Sequence, residues 1–214
     1  MAWLILAFDG TDPEAPARRV AARDAHVAWI TAEAEAGRLA LGLPLHDPQG
    51  HSLGSLMVLD VPDRSGRDAY LEQEPFMRQG VWRKVETHPF RIAPLPYAPW
   101  PTPGSAMPGP RSHTIVIARD GTDAGAEARR LAARPAHMAR VRPMAADGTL
   151  LFGGAILDAS GTHMTGSVAV TRHATDEAAR RFWSEDPYVT GDVWREMTLY
   201  ATLLRPLPYK PLPG

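Results

Sequence analysis

The chain has 214 residues, with 23 basic against 24 acidic side chains for a formal net charge of -1, and it contains no cysteine. Balanced charge leaves no electrostatic footprint for a phosphate backbone or an anionic bilayer, so neither nucleic acid nor membrane is an expected partner. Without cysteine there are no disulfides, thiolate nucleophiles or cysteine-ligated metal centres, and a hydrophobic content of 44% is ample for a packed core.

The opening MAWLILAFDGTD is a short apolar run followed by acid. It lacks the basic start and cleavage site of a signal peptide and falls far short of the roughly 20 apolar residues that span a bilayer, so a cytoplasmic location is expected. Trp3–Phe8 is rich in branched residues and predicts a strand. From about Asp12 to Ala36 the chain turns to Ala, Arg and Glu, which predicts a helix ended by Gly37. Leu39–Leu43 and Ser55–Val61 read as strands, Ser65–Glu72 as a second helix and Trp82–Ile92 as a final strand.

The same order then repeats. DGTD at 9–12 recurs at 120–123, an offset of 111 residues that also relates Arg18-Arg19 to Arg129-Arg130, His26 to His137 and Gly42 to Gly153. One inserted loop residue makes the offset 112, relating Gly54-Ser55 to Gly166-Ser167, Glu74-Pro75-Phe76 to Asp186-Pro187-Tyr188, Trp82 to Trp194 and PLPY at 94–97 to PLPY at 206–209. The second set of elements is Thr114–Ala118, a helix ended by Gly148, Leu150–Gly153, Ser167–Thr171, Asp176–Ser184 and Trp194–Leu204. Pro143, late in the long helix of this half, is expected to kink or shorten it.

Strand, helix, strand, strand, helix, strand, written twice, is an α+β chain of two ferredoxin-like (βαββαβ) repeats. Each repeat has a sheet with one bare face. The two are therefore expected to pack sheet to sheet as an intrachain pseudo-dimer, with further homodimerisation left open. The expected divisions are residues 1–97, a Pro/Gly-rich linker at 98–111, and residues 112–214 with a Pro-rich tail. The Pro-rich seam Ala93–Pro110 and its C-terminal counterpart RPLPYKPLPG have PxxP spacing that also fits a ligand for an SH3-type module, but a stiff linker and tail laid on the surface is the simpler reading.

Three repeated features carry candidate chemistry. On a helical period Val20, Val27, Ile30 and Ala34 form one stripe, matched by Leu131, Met138, Val141 and Ala145. This sets His26 and His137 about 85° away, at the margin of a crevice, at 100° per residue. Packing alone would explain one such histidine; recurrence in both halves asks for more. Glu74 and Asp186, each followed by Pro, suit a helix N-cap, and equally suit the orientation of an imidazole. Gly54-Ser55 and Gly166-Ser167 fit close backbone approach, and a serine hydroxyl there also suits a ligand oxygen. No GxSxG elbow accompanies them, so serine is not read as a nucleophile. The loop histidines His46, His51 and His163 lack the rigid spacing of a metal site, and DGTD lacks the later ligands of a calcium loop, so no metal is expected. Trp3, Trp82 and Trp194 are expected to build the core and the contact between halves.

RPAHMAR at 134–140, TGS at 165–167 and DPYVTGDVW at 186–194 resemble the YCII-related (YciI-like) family. The first half resembles it more loosely, with RDAHVAW, LGS and EPF. The resemblance spans nearly the whole chain as two tandem domains and implies a dimeric α+β barrel fold without a cofactor. It also implies a His–Asp pair in a pocket: His137 with Asp186, and His26 with Glu74, where the longer acid puts the geometry in question. Thr165, Gly166, Ser167, Tyr188, Arg134 and Ser55 are the accompanying candidates for substrate contact. The activities known in the family and its fold relatives include elimination of chloride from a chlorinated hydroxyquinol, lactone isomerisation and cofactor-free oxygenation. The expectation is therefore a small cofactor-independent lyase or isomerase acting on a small, aromatic or oxidised-ring metabolite. The alternatives are a non-catalytic binding or accessory protein and a purely structural module.

Overall fold

The computed structural model describes residues 2–107 and 109–213; Pro108, within the expected linker, lies outside them. The first half contains β1 (Ala2–Asp9), α1 (Ala15–Glu35), β2 (Leu39–His46), β3 (Ser52–Leu59), α2 (Arg64–Gln73), α3 (Pro75–Arg78) and β4 (Trp82–Ile92). The second contains β5 (His113–Asp120), α4 (Ala126–Ala146), β6 (Leu150–Leu157), β7 (Met164–Thr171), α5 (Asp176–Ser184), α6 (Pro187–Thr190) and β8 (Trp194–Thr202). Polar caps start the second helix of each half. Asp63 accepts from the Gly66 amide at 2.9 Å and Thr175 from the Ala178 amide at 3.1 Å.

The strands form one closed antiparallel barrel in the order β1-β3-β2-β8-β5-β7-β6-β4, with β4 returning to β1. Within each half the register is the ferredoxin-like one, and the halves join at two seams. At one, β2 meets β8 through His46↔Ala201; at the other, β4 meets β6 from Phe90↔Ile156 to Ile92↔Gly154. Apolar side chains of both halves merge in a single buried cluster through the barrel, including Ile5, Leu41, Phe90, Ile115, Phe152 and Val168. Phe90 stacks on Phe152 with centroids 5.9 Å apart. Closure removes the exposed sheet edges that each half would present alone.

Gly54 and Gly166 mark close backbone approach. A Cβ on Gly54, whose φ is 153°, would lie 2.0 Å from the Ala7 carbonyl oxygen, and one on Gly166 would lie 2.3 Å from that of Ala118. Both sit beside the serines of interest.

Two features differ from what the sequence suggests. Pro143 does not shorten its helix, because α4 and α1 both span 21 residues and α4 also holds Pro135. Pro143 is exposed in the last turns, while Val141 and Ala145 on either side are buried, so packing holds the helix against the loss of one backbone hydrogen bond. The PLPY segments are not surface spacers either. Leu95 is buried in the core of the second half, and Leu207 and Tyr209 in that of the first. The Tyr97 hydroxyl donates to the Gly153 carbonyl at 3.0 Å and accepts from its amide at 3.2 Å. Tyr209 treats Gly42 in the same way at 3.1 and 3.2 Å. Each half thus sends its tail across to the other, and each tail ends on the glycine related by the repeat.

Candidate active site

The inward face of α1 is rotated from the apolar stripe read in the sequence. Val20 is 74% exposed and its counterpart Leu131 55%, whereas Ala15, Ala22, His26, Ile30 and Glu33 are buried. At 100° per residue these five lie within about 40° of His26, so the histidine is at the centre of the buried face and not at its margin. The physical reason is pairing. Arg19 binds Asp9, His26 binds Glu74 and Glu33 binds Arg38, so polar side chains face inward with partners in place.

The acid-Pro turns, α3 and α6, bring their carboxylates to these histidines. His137 Nδ1 lies 2.8 Å from Asp186 Oδ1, and His26 Nδ1 lies 2.5 Å from Glu74 Oε1. Both carboxylates have no exposed surface. An ionised carboxylate only accepts, so Nδ1 carries a proton toward it, and in the neutral ring Nε2 is then the nitrogen with the lone pair. Capping and orienting coexist. Asp186 Oδ1 also accepts the Tyr188 amide at 2.9 Å, while Glu74 caps Met77 at 2.9 Å with its second oxygen. The extra methylene of Glu74 thus moves the cap one residue along and leaves the contact with the imidazole intact. The geometry of the first pair, questioned from the sequence, is formed.

Aromatic rings fix each imidazole. His137 stacks on Tyr188 at 3.9 Å and 12°, and meets Trp194 edge-on at 5.9 Å. His26 stacks on Phe76 at 3.8 Å and 9°, and meets Trp82 at 6.0 Å. Trp3, Trp82 and Trp194 are buried as expected, and Trp82 and Trp194 pack around the histidines, Trp194 in one cluster with Leu95 of the other half. Burial pushes the Tyr188 phenol above its ordinary range, and so it stays neutral.

Arg130, Asp120 and Trp194 form a group that the sequence reading passed over. Arg130 Nη1 binds both oxygens of Asp120 at 2.8 and 2.7 Å, its Nη2 donates to Ser167 Oγ at 3.0 Å, and its guanidinium lies 4.7 Å from the Tyr188 ring centroid. Trp194 Nε1 donates to the same Ser167 oxygen at 3.2 Å. Ser167 therefore accepts twice and its own proton is left for a third partner. The first half keeps the outline with Arg19, Asp9 and Ser55. There Arg19 Nη2 is 3.4 Å from Ser55 Oγ, and Trp82 Nε1 has no partner among the described residues. The available signal was the recurrence of an aspartate ten residues ahead of the second arginine in both halves.

These groups border two cavities. One, of about 70 Å³, is lined by His137, Arg134, Ser167, Tyr188, Trp183 and Trp194, with Arg91 from the end of β4 and Leu95 from the segment that follows it. The other, of about 180 Å³, is lined by His26, Arg19, Arg23, Ser55, Phe76 and His46, with Leu203 and Arg205 from the tail of the second half. Glu74 and Asp186 stand behind the histidines. Gly166 allows the pairing of β7 with β5, while Thr165 is exposed and contacts the Ile156 carbonyl at 3.4 Å, outside the cavity lining. In the loops, His51 binds Asp47 at 2.8 Å and His163 approaches Glu127 at 3.2 Å. No metal-ligating cluster of three or more such side chains occurs among the described residues, and no helix there is long and apolar enough to cross a membrane.

In fold the chain is similar to a chlorite dismutase from Candidatus Nitrospira defluvii, with 13% identity over 97% of this chain and 92% of that one and a TM-score of 0.57. It is also similar to a haem-binding protein from Thermus thermophilus, with 12% identity over 94% and 90% and a TM-score of 0.55. A 5-chloro-2-hydroxyhydroquinone dehydrochlorinase from Burkholderia phenoliruptrix AC1100 aligns with 44% of this chain and 96% of its own, at 19% identity and a TM-score of 0.38. No curated protein matches the chain in sequence. The model of the YCII-related domain matches residues 1–91 and again 114–202. The chain belongs to the YCII-related domain family and carries that domain twice.

Proposed function

We propose that the second half is a cofactor-independent acid/base catalyst of lyase or isomerase type acting on a small metabolite. The observation that carries this reading is the His137–Asp186 pair, held at 2.8 Å in the wall of a cavity that also receives the Ser167 hydroxyl. Neutral His137 takes a proton from a carbon or hydroxyl of the substrate through Nε2, and Asp186 stabilises the imidazolium so formed. Ser167 donates to a substrate oxygen on which charge develops. The imidazolium then returns its proton to another position, for isomerisation. For elimination, the electron pair left by the proton forms a double bond as the leaving group departs with its own pair. The cavity has the volume of a few water molecules, which suits the reactive end of a small molecule.

The corresponding residues of the first half, His26, Glu74 and Ser55, form the same constellation around a larger cavity and are its counterpart candidates. Haem binding is not carried over from the Thermus protein. Cofactor-sized pockets start near 300 Å³, well above the two cavities of about 70 and 180 Å³.

A second reading, a binding protein without turnover, is favoured by the coverage of His137. Its side chain is only 13% exposed, with Tyr188 on its face and Trp194 at its edge. A thermal-shift screen of small metabolites, followed by turnover assays on the hits with wild type and His137→Ala, separates the two. Turnover lost in His137→Ala supports the enzyme; a ligand bound by both proteins and never converted overturns it.

A further inference from the structure

The cavity of the first half and its twin each have three arginines and no carboxylate in their lining, but they differ in where those arginines come from and in the histidines beside them. In the first half these residues are Arg19, Arg23, Arg205, His26 and His46. Two of these groups already have a partner, Arg19 in Asp9 at 2.8 Å and His26 in Glu74 behind it. Arg23 and Arg205 have no ion pair among the described residues.

Arg205 is the unusual one. It comes from the crossing tail of the second half, is half-buried, and has its pKa drawn down by burial and by repulsion from Arg23. Two guanidiniums facing one cavity without an acid destabilise each other, and an anion between them relieves the repulsion. His46 adds to this at the seam of β2 and β8, where its Nδ1 is buried without a hydrogen-bond partner. Burial, and then the nearby Arg19, lower its pKa, so its neutral ring has a donor to offer.

Neither feature is inherited scaffold. By the repeat offsets, Arg205 corresponds to Ala93 and His46 to Leu157. The second cavity has Arg134 and Arg91 instead, both exposed. Arg91 corresponds to Leu203, so the lining arginine falls two residues apart in the two repeats, at the end of β4 in the first half and just after β8 in the second. The second cavity also has two indoles in its lining, Trp183 and Trp194, where the first has none.

We propose that the first-half cavity is a separate binding site for a small organic anion, recognised through a carboxylate or phosphate group by Arg23 and Arg205, with His46 donating from the seam. The site goes beyond the catalytic reading of the second half and does not depend on it. The charge-assisted pairing sets the class of ligand, and the apolar wall of Phe76, Met57 and Leu43 accepts its carbon skeleton.

The test is calorimetric titration of the full chain with inorganic phosphate and, separately, with benzoate; benzylamine serves as the cationic control. Imidazole NMR of His46 is recorded in parallel. The expected result is saturable binding of at least one anion, a shift of the His46 ring signals on its addition, and at least tenfold weaker binding in Arg205→Ala and in His46→Leu. Phosphate binding alone identifies a phosphoryl ligand, and benzoate binding alone a carboxylate. Arg23→Ala, at an exposed position, supplies a second variant whose fold is checked by circular dichroism. The proposal is overturned if neither anion binds, if benzylamine binds equally well, or if binding survives in folded Arg23→Ala and Arg205→Ala. It is also overturned if binding is lost in Arg134→Ala instead.

Discussion

Asp186 serves His137 and the Tyr188 amide with a single oxygen, Oδ1, at 2.8 and 2.9 Å. Its second oxygen is buried without a hydrogen bond, and the nearest cation, Arg140, stands 3.8 Å away. One atom thus couples the start of a helical turn to the orientation of the imidazole above it.

That coupling separates two substitutions. Asp186→Asn keeps the shape and a carbonyl acceptor but removes the charge opposite the imidazolium. Turnover is expected to fall about 10²–10⁴-fold, the usual scale for loss of general acid/base assistance, with little change in folding. Asp186→Ala removes the cap as well and is expected to cost about 2–4 kcal/mol in urea unfolding. Equal stability loss in both variants would place the carboxylate in folding alone.

Crossing tails predict long-range stabilisation. Tyr209→Phe deletes a hydroxyl that bonds both the amide and the carbonyl of Gly42, a position within the first half. A cost of about 1–3 kcal/mol is expected from the buried groups left unpaired. Hydrogen exchange should rise at the Gly42 amide, and an unchanged rate there would contradict the docking of this tail.

Gly166→Ala sets a Cβ into the Ala118 carbonyl, a backbone atom that cannot step aside. The pairing of β7 with β5 must open there, so a loss of at least about 2 kcal/mol is expected, together with displacement of neighbouring Ser167. Urea denaturation measures the first, and ligand binding the second.

Stability should fall on mild acidification. Burial, with Arg172 and then His173 nearby, draws His113 down to about 4. Desolvation lowers His46, His88 and His173 in the same direction. A depressed histidine stays neutral in the fold while the unfolded chain takes up its proton near 6.5. Between about pH 6.5 and 4 the unfolded state therefore binds more protons, and Tm drops as pH falls through that window. His113→Phe is expected to flatten part of the slope; a Tm that is level from about pH 7 to 4.5 would refute the assignment.

The repeat, the order of its main elements and the recurrence of His26/His137 and Glu74/Asp186 were legible in the linear chain, because duplication writes each signal twice at a constant offset; the pairing of histidine with acid came from the family resemblance. Strand edges came within a few residues, since branched apolar runs and glycine stops are local signals. Acid-Pro capping was equally local, and it emerged together with the orienting role instead of competing with it.

Other features were decided in three dimensions. Val20 and Leu131 look like core residues on a helical wheel and stand in solvent, because Asp9, Glu74 and Arg38 supply partners that let polar side chains take the inward face. Arg19 and Arg130 stand in the sequence only as members of a repeated arginine pair, and the fold gives them Asp9 and Asp120 as partners. The PLPY segments read as spacers because low-complexity composition says nothing of where a chain docks; only closure of the barrel places Leu95 and Tyr209 in the opposite halves. The sequence by itself determined that the fold is doubled and which residues recur. Tertiary structure decided which of them meet, since a contact across dozens of residues depends on the path of the whole chain and leaves no periodic trace along it.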